Sequence, residues 1–240
     1  MSNKRQTLAI AATGALSLFF FSGCESSIHE TAASGELEAV QQLLDEGADP
    51  NKTNKEGATP LRVAATNCRL QVAELLLSRG ANVDVRTSSG GTPLHAASIA
   101  NCVGVASILL DNRANVDARE FQGLTPIAAA AITGNAKMAR LLVEHGANVD
   151  LPNTAGWTPL MNAASHGHVE VALMLLEACA DTKVKDDFEQ TALHHATSPS
   201  YFKITTGETL FIAPPEDNHD VIQLLKDEEE KAKPICETRR

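Results

Sequence analysis

The sequence predicts an all-α solenoid of stacked two-helix repeats. A Thr-Pro-Leu or Thr-Pro-Ile motif returns every 33 residues. Its copies begin at Thr59, Thr92, Thr125 and Thr158, and a Thr-Ala-Leu copy begins at Thr191. A fixed period of this length is typical of proteins that stack one small unit on the next. Aromatic residues make up only 4% of the chain and apolar residues 43%, which supplies a core but disfavours an ordinary β-sandwich or barrel.

Each copy of the motif can start a helix. Threonine is a good N-cap, because its hydroxyl accepts a hydrogen bond from a free backbone N–H of the first turn. Proline at the next position loses no helical hydrogen bond and has its φ angle preset. A second apolar helix follows in each period, and a glycine such as Gly80 or Gly146 at its end suits a left-handed cap. No such unit buries its apolar face alone, so neighbouring units must stack.

The segments after the second helices identify the repeat. Residues 80–84 and 146–150 both read Gly-Ala-Asn-Val-Asp, and residues 113–117 read Arg-Ala-Asn-Val-Asp. Together with the Thr-Pro-Leu motifs, they resemble the ankyrin repeat over about residues 28–227. The resemblance implies a solenoid of helix-turn-helix repeats joined by β-turn fingers. Its expected units are 28–56, 57–89, 90–122, 123–155, 156–188 and 189–227.

The last unit contains an insertion at about residues 198–218. Two runs of strand-forming residues flank a glycine-containing turn there, which predicts a short β-hairpin. Three of the six aromatic residues that follow the N-terminal apolar run lie in it, namely Tyr201, Phe202 and Phe211. Two interpretations stay open: an arm that binds a partner, or a cover over the apolar end of the stack. Residues 228–240 are expected to form a solvated, charged tail.

The N-terminal segment predicts export. Residues 8–21 are almost wholly apolar and follow a basic start, but they are too few to span a bilayer as a helix. Residues 1–23 are therefore typical of a signal peptide. The sequence Phe-Ser-Gly-Cys that ends at Cys24 resembles the lipobox of bacterial lipoproteins, although that family usually has leucine where Phe21 stands.

The lipobox resemblance implies acylation of Cys24, with residues 24–27 as a lipid-anchored tether. A chain anchored in this way faces the periplasm from the bacterial cell envelope, and Glu25 in place of aspartate favours the outer membrane over the inner one. The alternative is an ordinary signal peptide in which Cys24 has no role. The formal net charge of −10 disfavours nucleic acid as a partner, because phosphate binding needs a basic face.

Candidate binding residues follow from the ankyrin resemblance, since ankyrin proteins generally bind other proteins through their finger tips and first helices. The fingers contribute Arg86, Ser88, Arg119, Phe121, Leu124, Trp157 and Phe188, and the first-helix ends contribute Ile99, Ile132 and His166. Exposed apolar patches at such positions often mark interfaces. For Trp157 the alternative is packing on a neighbouring finger.

Four cysteines remain after Cys24. Behind a signal peptide, thiols can oxidise. Cys68 and Cys102 occupy nearly equivalent turn positions in adjacent repeats, whereas Cys179 stands at a helix end and Cys236 in the tail. We hypothesise the pairs Cys68–Cys102 and Cys179–Cys236, among the three connectivities that four cysteines allow. Free thiols are the alternative.

The sequence lacks the common motifs of enzymes and metal sites. No Cys-x-x-Cys, His-Glu-x-x-His, EF-hand or Gly-x-Ser-x-Gly pattern occurs. His95 and His194 follow the Thr-Pro-Leu-type motifs, where the family uses histidine to support the turn, and His168 is also expected to be structural. The acidic pair Asp186-Asp187 is expected at a finger tip, in water. We therefore expect no enzyme activity, metal or cofactor.

These observations predict a membrane-anchored periplasmic ankyrin protein that binds another protein, such as a secreted toxin or a periplasmic enzyme. Two alternatives stay open. One is an immunity protein that neutralises a toxic secreted effector, and the other is a structural envelope protein without a dedicated client.

Overall fold

The computed structural model describes residues 27–197 and 218–230, together with the backbone of residues 200–203 and 209–212. The signal peptide, Cys24 and Cys236 lie outside the described residues. The described chain forms twelve helices and one two-stranded sheet. The first helices of the repeats are α1 Ile28–Ser34, α3 Pro60–Thr66, α5 Pro93–Ala100, α7 Pro126–Thr133, α9 Pro159–Ser165 and α11 Ala192–Thr197. The second helices are α2 Leu37–Asp45, α4 Leu70–Ser78, α6 Val103–Asp111, α8 Ala136–Glu144, α10 Val169–Glu177 and α12 Asn218–Glu230.

The helices stack as the sequence predicts. Each first helix contacts the first helix of the next repeat, and each second helix packs on its own first helix. The repeat register recurs in the core. The first helices contribute fully buried alanines at Ala64, Ala97, Ala130, Ala163 and Ala196. The second helices contribute fully buried leucines at Leu76, Leu109, Leu142 and Leu175. Alanine lets the first helices approach closely, while leucine fills the space between the two layers.

The Thr-Pro motifs start the helices. The hydroxyls of Thr59, Thr125 and Thr158 each accept a hydrogen bond from the backbone N–H three residues on, at 3.3 Å. Their prolines occupy the first helical position. Ser27 caps α1 in the same way, although the first repeat lacks the Thr-Pro-Leu motif. The predicted threonine N-caps are therefore confirmed at α3, α7 and α9, and the cap at Ser27 is an addition that the structure shows.

The turn between the two helices of a repeat needs one residue in the left-handed region. Gly134 and Gly167 hold it at φ 72°, and Cys68 and Asn101 hold it at φ 55° and 57° in the equivalent positions. Asparagine tolerates this conformation better than most residues. Cysteine is less usual at such a position. Cys68 lies beside the next repeat and forms a disulfide with it, which is described with the turns below.

The sixth repeat departs from the others as expected, with one correction. The predicted hairpin is present as the antiparallel strands β1 Ser200–Lys203 and β2 Thr209–Ile212, with Tyr201 opposite Phe211. Helix α12 packs on α11 and α10 and runs to Glu230, so the expected tail does not begin at residue 228. Glu228 is buried, and a helix that continues past Asp227 carries it back against the stack.

Among the described residues, no helix is long and apolar enough to cross a bilayer.

Candidate protein-binding surface

The loops that join successive repeats form a row of fingers tied together at their tips. The backbone N–H of Phe121 donates to the Ser89 carbonyl at 2.7 Å, and that of Thr154 donates to the Gln122 carbonyl at 2.9 Å. The next tip, at Asp187, is linked in the same way, at 3.3 Å. We call this side of the molecule, residues 51–58, 84–91, 117–124, 150–157 and 183–190, the finger edge. Side chains add to these links, because Thr154 Oγ1 also donates to the Gln122 carbonyl at 2.9 Å and Ser88 Oγ donates to the Glu56 carbonyl at 3.4 Å. Phe121 is linked through its backbone N–H, which leaves its ring free of the link.

A second set of hydrogen bonds joins successive fingers at their bases, where each carboxylate accepts from a backbone N–H of the next repeat. The carboxylate of Asp117 accepts a hydrogen bond from the Asn148 backbone N–H at 2.9 Å, and Asp150 accepts from the Asp181 N–H at 2.9 Å. Asp84 accepts from the Asn115 N–H in the same manner. Burial raises the pKa of Asp150, and the negative charge of Asp181 adds to that shift. The fingers therefore form one ladder, which presents a preorganised surface to a partner.

Two phenylalanines stand at the finger tips with most of their surface in water. Phe121 is 85% exposed and Phe188 is 76% exposed. Large apolar side chains are otherwise exposed in the described chain only at Ile99, at 56%, and at Leu70, at 39%. We call Phe121 and Phe188 the fingertip pair. Aromatic side chains bury a large apolar area when a partner covers them, and they contribute strongly to interface energy for that reason.

The structure separates the other predicted residues into two places, with Arg86, Ser88, Arg119 and Leu124 on the fingers and Ile99, Ile132 and His166 at the far ends of the first helices. Arg86, Ser88 and Arg119 on the fingers and His166 at the end of a first helix are exposed, whereas Leu124 and Ile132 are half-buried. Arg119 also has a structural contact, because its Nη2 donates to the Pro152 carbonyl of the next finger at 2.7 Å. The side chains of the predicted hairpin residues Tyr201, Phe202 and Phe211 lie outside the described residues.

Trp157 lies against its neighbour. Its ring is half-buried and sits 4.0 Å from the ring of His195, centroid to centroid. This is the packing alternative considered for Trp157, here with the first helix of the last repeat. The indole covers His195, which is hydrogen-bonded to Asp186, and therefore supports the last finger.

Asp186 is the main correction to the expected surface. The sequence suggested a carboxylate in water, but Asp186 is buried, and His195 Nε2 lies 2.8 Å from its Oδ2. Its Oδ1 accepts hydrogen bonds from the Phe188 and Gln190 backbone N–H groups at 2.9 Å. Burial acts to raise the pKa of Asp186, but the hydrogen bonds, led by that of Gln190, outweigh it and lower the pKa. The finger that carries Phe188 is thus held by a buried charged group.

Burial also decides the state of His195. It lowers the pKa of the imidazole, and the bond to Asp186 only partly offsets that shift. At neutral pH the ring is therefore neutral and donates its Nε2 hydrogen to the carboxylate. The sequence carried a signal for Asp186, because Asn153 stands one period earlier and accepts the equivalent backbone N–H groups of Ala155 and Trp157. Nothing local in the sequence indicated His195.

Comparison with known proteins identifies the repeats. A family model described as ankyrin repeats, in three copies, matches residues 28–120 and 115–186. The chain belongs to the ankyrin-repeat family. Membership of this family implies protein–protein interaction.

Two curated relatives share a short stretch with the chain. They are proteins named cyclin-dependent kinase 4 inhibitor B, from Bos taurus and Rattus norvegicus, and each is 44% identical over 41 residues. The matched stretch is 17% of this chain and 31% or 32% of the relative. The chain thus spans about a third of the length of these relatives.

Histidines support the ankyrin fingers from within. The Nδ1 atom of His95 accepts from the Thr92 backbone N–H at 3.2 Å, so its Nε2 carries the hydrogen that it donates to the Leu124 carbonyl at 3.0 Å. Burial lowers the pKa of His95, consistent with this neutral form. The expected structural role of His95 is therefore confirmed. The expectation for His194 is wrong, because it is exposed, while the next residue, His195, enters the core.

The opposite side of the ankyrin stack is linked differently. We call the helix–helix turns at residues 34–37, 67–70, 100–103, 133–136 and 166–169 the turn edge. There, the residue before a second helix reaches back to the preceding repeat. Arg69 Nε donates to the Ala33 carbonyl at 2.9 Å, Asn135 Nδ2 to the Ser98 carbonyl at 3.1 Å, and His168 Nε2 lies 3.0 Å from the Ile132 carbonyl.

At one step of the turn edge the link is covalent. Cys68 and Cys102 form a disulfide between the second and third repeats, with their Cα atoms 5.0 Å apart. The predicted first pair is therefore present. Cys179 is also disulfide-bonded, and its partner lies outside the described residues, so the pair Cys179–Cys236 stays a prediction.

No group of three or more His, Cys, Asp or Glu residues in the described ranges could hold a metal ion. The described finger edge instead presents two exposed phenylalanines, the exposed Arg86 and Arg119, and a hydrogen-bonded frame beneath them.

Proposed function

We propose that this protein is a lipid-anchored ankyrin protein of the bacterial envelope that binds a protein partner through its finger edge. The observation that carries this proposal is the fingertip pair, with Phe121 85% and Phe188 76% exposed on fingers whose backbones are fixed by hydrogen bonds. Burying a phenylalanine side chain contributes about 1.5–3 kcal/mol. A rigid surface loses little conformational entropy on docking, so more of this contribution remains as affinity.

The envelope location rests on the N-terminal sequence. A basic start, the apolar residues 8–21 and the lipobox-like end at Cys24 support export and acylation. The partner is then a protein on the periplasmic side of the membrane. The matched relatives are named as kinase inhibitors, and their 41-residue match supports protein binding by this repeat type rather than any particular client.

The test is a pull-down from envelope extracts with the acylated mature chain and two matched double variants. Phe121→Ala with Phe188→Ala removes the fingertip pair. Leu70→Ala with Ile99→Ala removes the other exposed large apolar side chains, which lie away from the finger tips. We leave Trp157 unchanged, because it packs on His195 and its loss would disturb the last finger.

We expect a partner that is recovered by the native chain and by the Leu70/Ile99 variant but at least about tenfold less by the Phe121/Phe188 variant, since each ring contributes roughly 2 kcal/mol. Equal recovery by both variants would reject the fingertip pair as the binding surface. The intact mass of the mature protein tests the anchor separately, because acylation adds the mass of the lipid to a chain that begins at Cys24.

A further inference from the structure

The first repeat leaves uncovered a set of apolar positions that the other repeats bury. Leu43 occupies the position of Leu76, Leu109, Leu142 and Leu175, all of which are fully buried against the preceding repeat, whereas Leu43 is half-buried. Ala39 and Ala48 are likewise half-buried, while their counterparts in the next four repeats are buried. No described residue takes the place of a preceding repeat here.

This N-terminal end face is concave. Ile28, Ala39, Leu43 and Ala48 line an open concavity of about 920 Å³. Its polar border includes the neutral Gln42 and both signs of charge, from the acids Glu46 and Asp49 and from Lys52. The end face is therefore an apolar floor with a mixed-charge border. Such a border matches a zwitterionic surface, in which phosphate and ammonium groups lie side by side.

The C-terminal end of the stack is formed by helix α12, which buries Val221 and Leu225 against the preceding helices. Its outer side exposes polar and charged groups, namely Asp220, Gln223, Lys226, Asp227 and Glu229. A polar outer face is what a terminal repeat needs in order to remain soluble. In the first repeat, α2 likewise exposes Glu38, Gln41 and Asp45, but the concavity beside it leaves Ala39, Leu43 and Ala48 only half-buried among the described residues.

The length of the chain before the first helix indicates which surface lies next to this end face. Ser27 lines the concavity and follows the proposed anchor residue Cys24 by only three positions. Three extended residues span at most about 11 Å. An acylated Cys24 therefore holds the end face within about 11 Å of the lipid headgroups. The intervening Glu25 and Ser26 bring no apolar side chain that could fill the concavity themselves.

We propose that the N-terminal end face rests on the lipid headgroups of the membrane that holds the anchor, so that the ankyrin stack stands upright with its finger edge facing sideways. The inference rests on the proposed acylation of Cys24. Neighbouring helices pack about 8–10 Å apart, so the last of six repeats lies roughly 45 Å further out than the first. A partner then approaches the fingertip pair from the side, parallel to the membrane.

The test compares two acylated chains in vesicles of phosphatidylethanolamine and phosphatidylglycerol. One is the native mature chain, and the other carries a 20-residue Gly-Ser linker between Ser26 and Ser27, which keeps the anchor but releases the end face. Hydrogen exchange is measured by mass spectrometry. We expect amides of residues 37–52 to exchange at least about threefold more slowly in the native chain, and amides of residues 119–124 to exchange equally in both.

Equal exchange in both acylated chains would overturn the inference and leave the lipid anchor standing. A native chain without acyl mass would overturn the anchor and the inference together. Slow exchange in both chains, with a doubled particle mass in detergent, would assign the end face to a second copy and also overturn the inference.

A matched pair of substitutions sharpens the test. Gln42 on the rim donates to Glu46 at 2.8 Å, and Gln223 on α12 donates to Asp227 at 2.6 Å, so both are exposed glutamines with the same helical contact at opposite ends. On these anionic vesicles, Gln42→Glu should reduce the slowing of exchange at least twofold, while Gln223→Glu should leave it unchanged. Equal effects of the two would show that the end face does not meet the lipid.

Discussion

The two long edges of the ankyrin stack join its repeats by different means. At the turn edge, one side chain in each repeat reaches back, as Arg69, Asn135 and His168 do, and at Cys102 the link is a disulfide to Cys68. At the finger edge, the tips are joined by backbone hydrogen bonds and the bases by carboxylates. The turn edge therefore depends on particular side chains, whereas Phe121, Thr154 and Asp187 join the finger tips through backbone N–H groups that any residue except proline supplies.

This difference suits the proposed function. A binding surface must vary its side chains without losing its frame, and backbone links at the tips allow that. Phe121 shows the point, because its N–H holds the neighbouring finger while its ring stays in water. The turn edge is not part of the proposed binding surface, so its side chains need not vary. Its links can therefore depend on particular residues, including the disulfide.

The largest effect should follow from removing the covalent link of the turn edge. The double variant Cys68→Ala with Cys102→Ala opens a cross-link between residues 34 positions apart. A cross-link of this length lowers the entropy of the unfolded chain and contributes about 3 to 4 kcal/mol. We expect the free energy of unfolding in urea to fall by that amount.

Substitution is preferable to a reducing agent here, because a reductant would also break the bond of Cys179. Hydrogen exchange should rise first at the turns of the second and third repeats and remain slow at the finger tips. An unchanged urea midpoint would mean that the hydrogen bonds of the turn edge already hold these repeats, and the contrast between the two edges would fail.

The next largest effect is expected where a glycine lets two successive fingers approach each other closely. Gly156 has φ +79°, and a Cβ placed on it would lie 2.8 Å from the Asp186 Cα of the next finger. Gly146 has φ +83° at a helix end, with nothing within 4 Å of the same placed atom. In both alanine variants, the left-handed backbone conformation costs about 1 kcal/mol. Only Gly156→Ala adds a clash with the backbone of the next finger, which costs roughly a further 1 kcal/mol or more.

We therefore expect Gly156→Ala to lower the free energy of unfolding by about 2 to 3 kcal/mol and Gly146→Ala by about 1 kcal/mol, measured in urea. The structure already places Arg113 and Cys179 at the position of Gly146 with φ 65° and 68°, so a side chain is tolerated there. Equal losses in the two variants would show that the fingers can separate freely.

The repeating parts of this fold were predictable because their causes are local. A threonine cap, a proline and an alanine four residues after that proline act within about one turn of helix, and the 33-residue register then copies them. The Cys68–Cys102 pair followed from the same register. The same register also assigned Phe121 and Phe188 to the fingers.

The features that the sequence did not predict depend on contacts between different elements of the fold. Asp186 is buried because it is hydrogen-bonded to His195. His195 lies on α11, outside the finger that carries Asp186, and the earlier repeats have no histidine at the equivalent position. The half-burial of Trp157 depends on the same ring. The extent of α12 to Glu230 depends on packing of Glu228 against the stack rather than on a change in composition at residue 228.

The smallest effect concerns pH and the buried pair beneath the last finger. Burial lowers the pKa of His195 below its usual value, while in the unfolded chain it titrates near 6.5. As pH falls through that value, the unfolded chain gains a proton that the folded chain does not, so stability falls with pH. Burial lowers the pKa of His95 as well, which adds a contribution of the same sign. Asp186 contributes in a lower range, because its pKa lies below the usual carboxyl value and its stabilisation is lost only as pH falls through that lowered pKa.

The variant His195→Gln keeps a donor for Asp186 but cannot titrate, and His219→Gln changes an exposed histidine on α12 as a control. Melting temperatures measured from pH 7.5 to pH 5 should fall in the native chain and in the His219 variant, and should fall less in the His195 variant. The remaining slope in that variant combines His95 with Asp150, whose raised pKa acts in the opposite direction. Parallel slopes in all three proteins would contradict the prediction, because they would mean that His195 takes up its proton at the same pH in the folded and the unfolded chain. A steeper fall in the His195 variant would mean that the folded chain protonates His195 more readily, so that acid tightens the finger that carries Phe188.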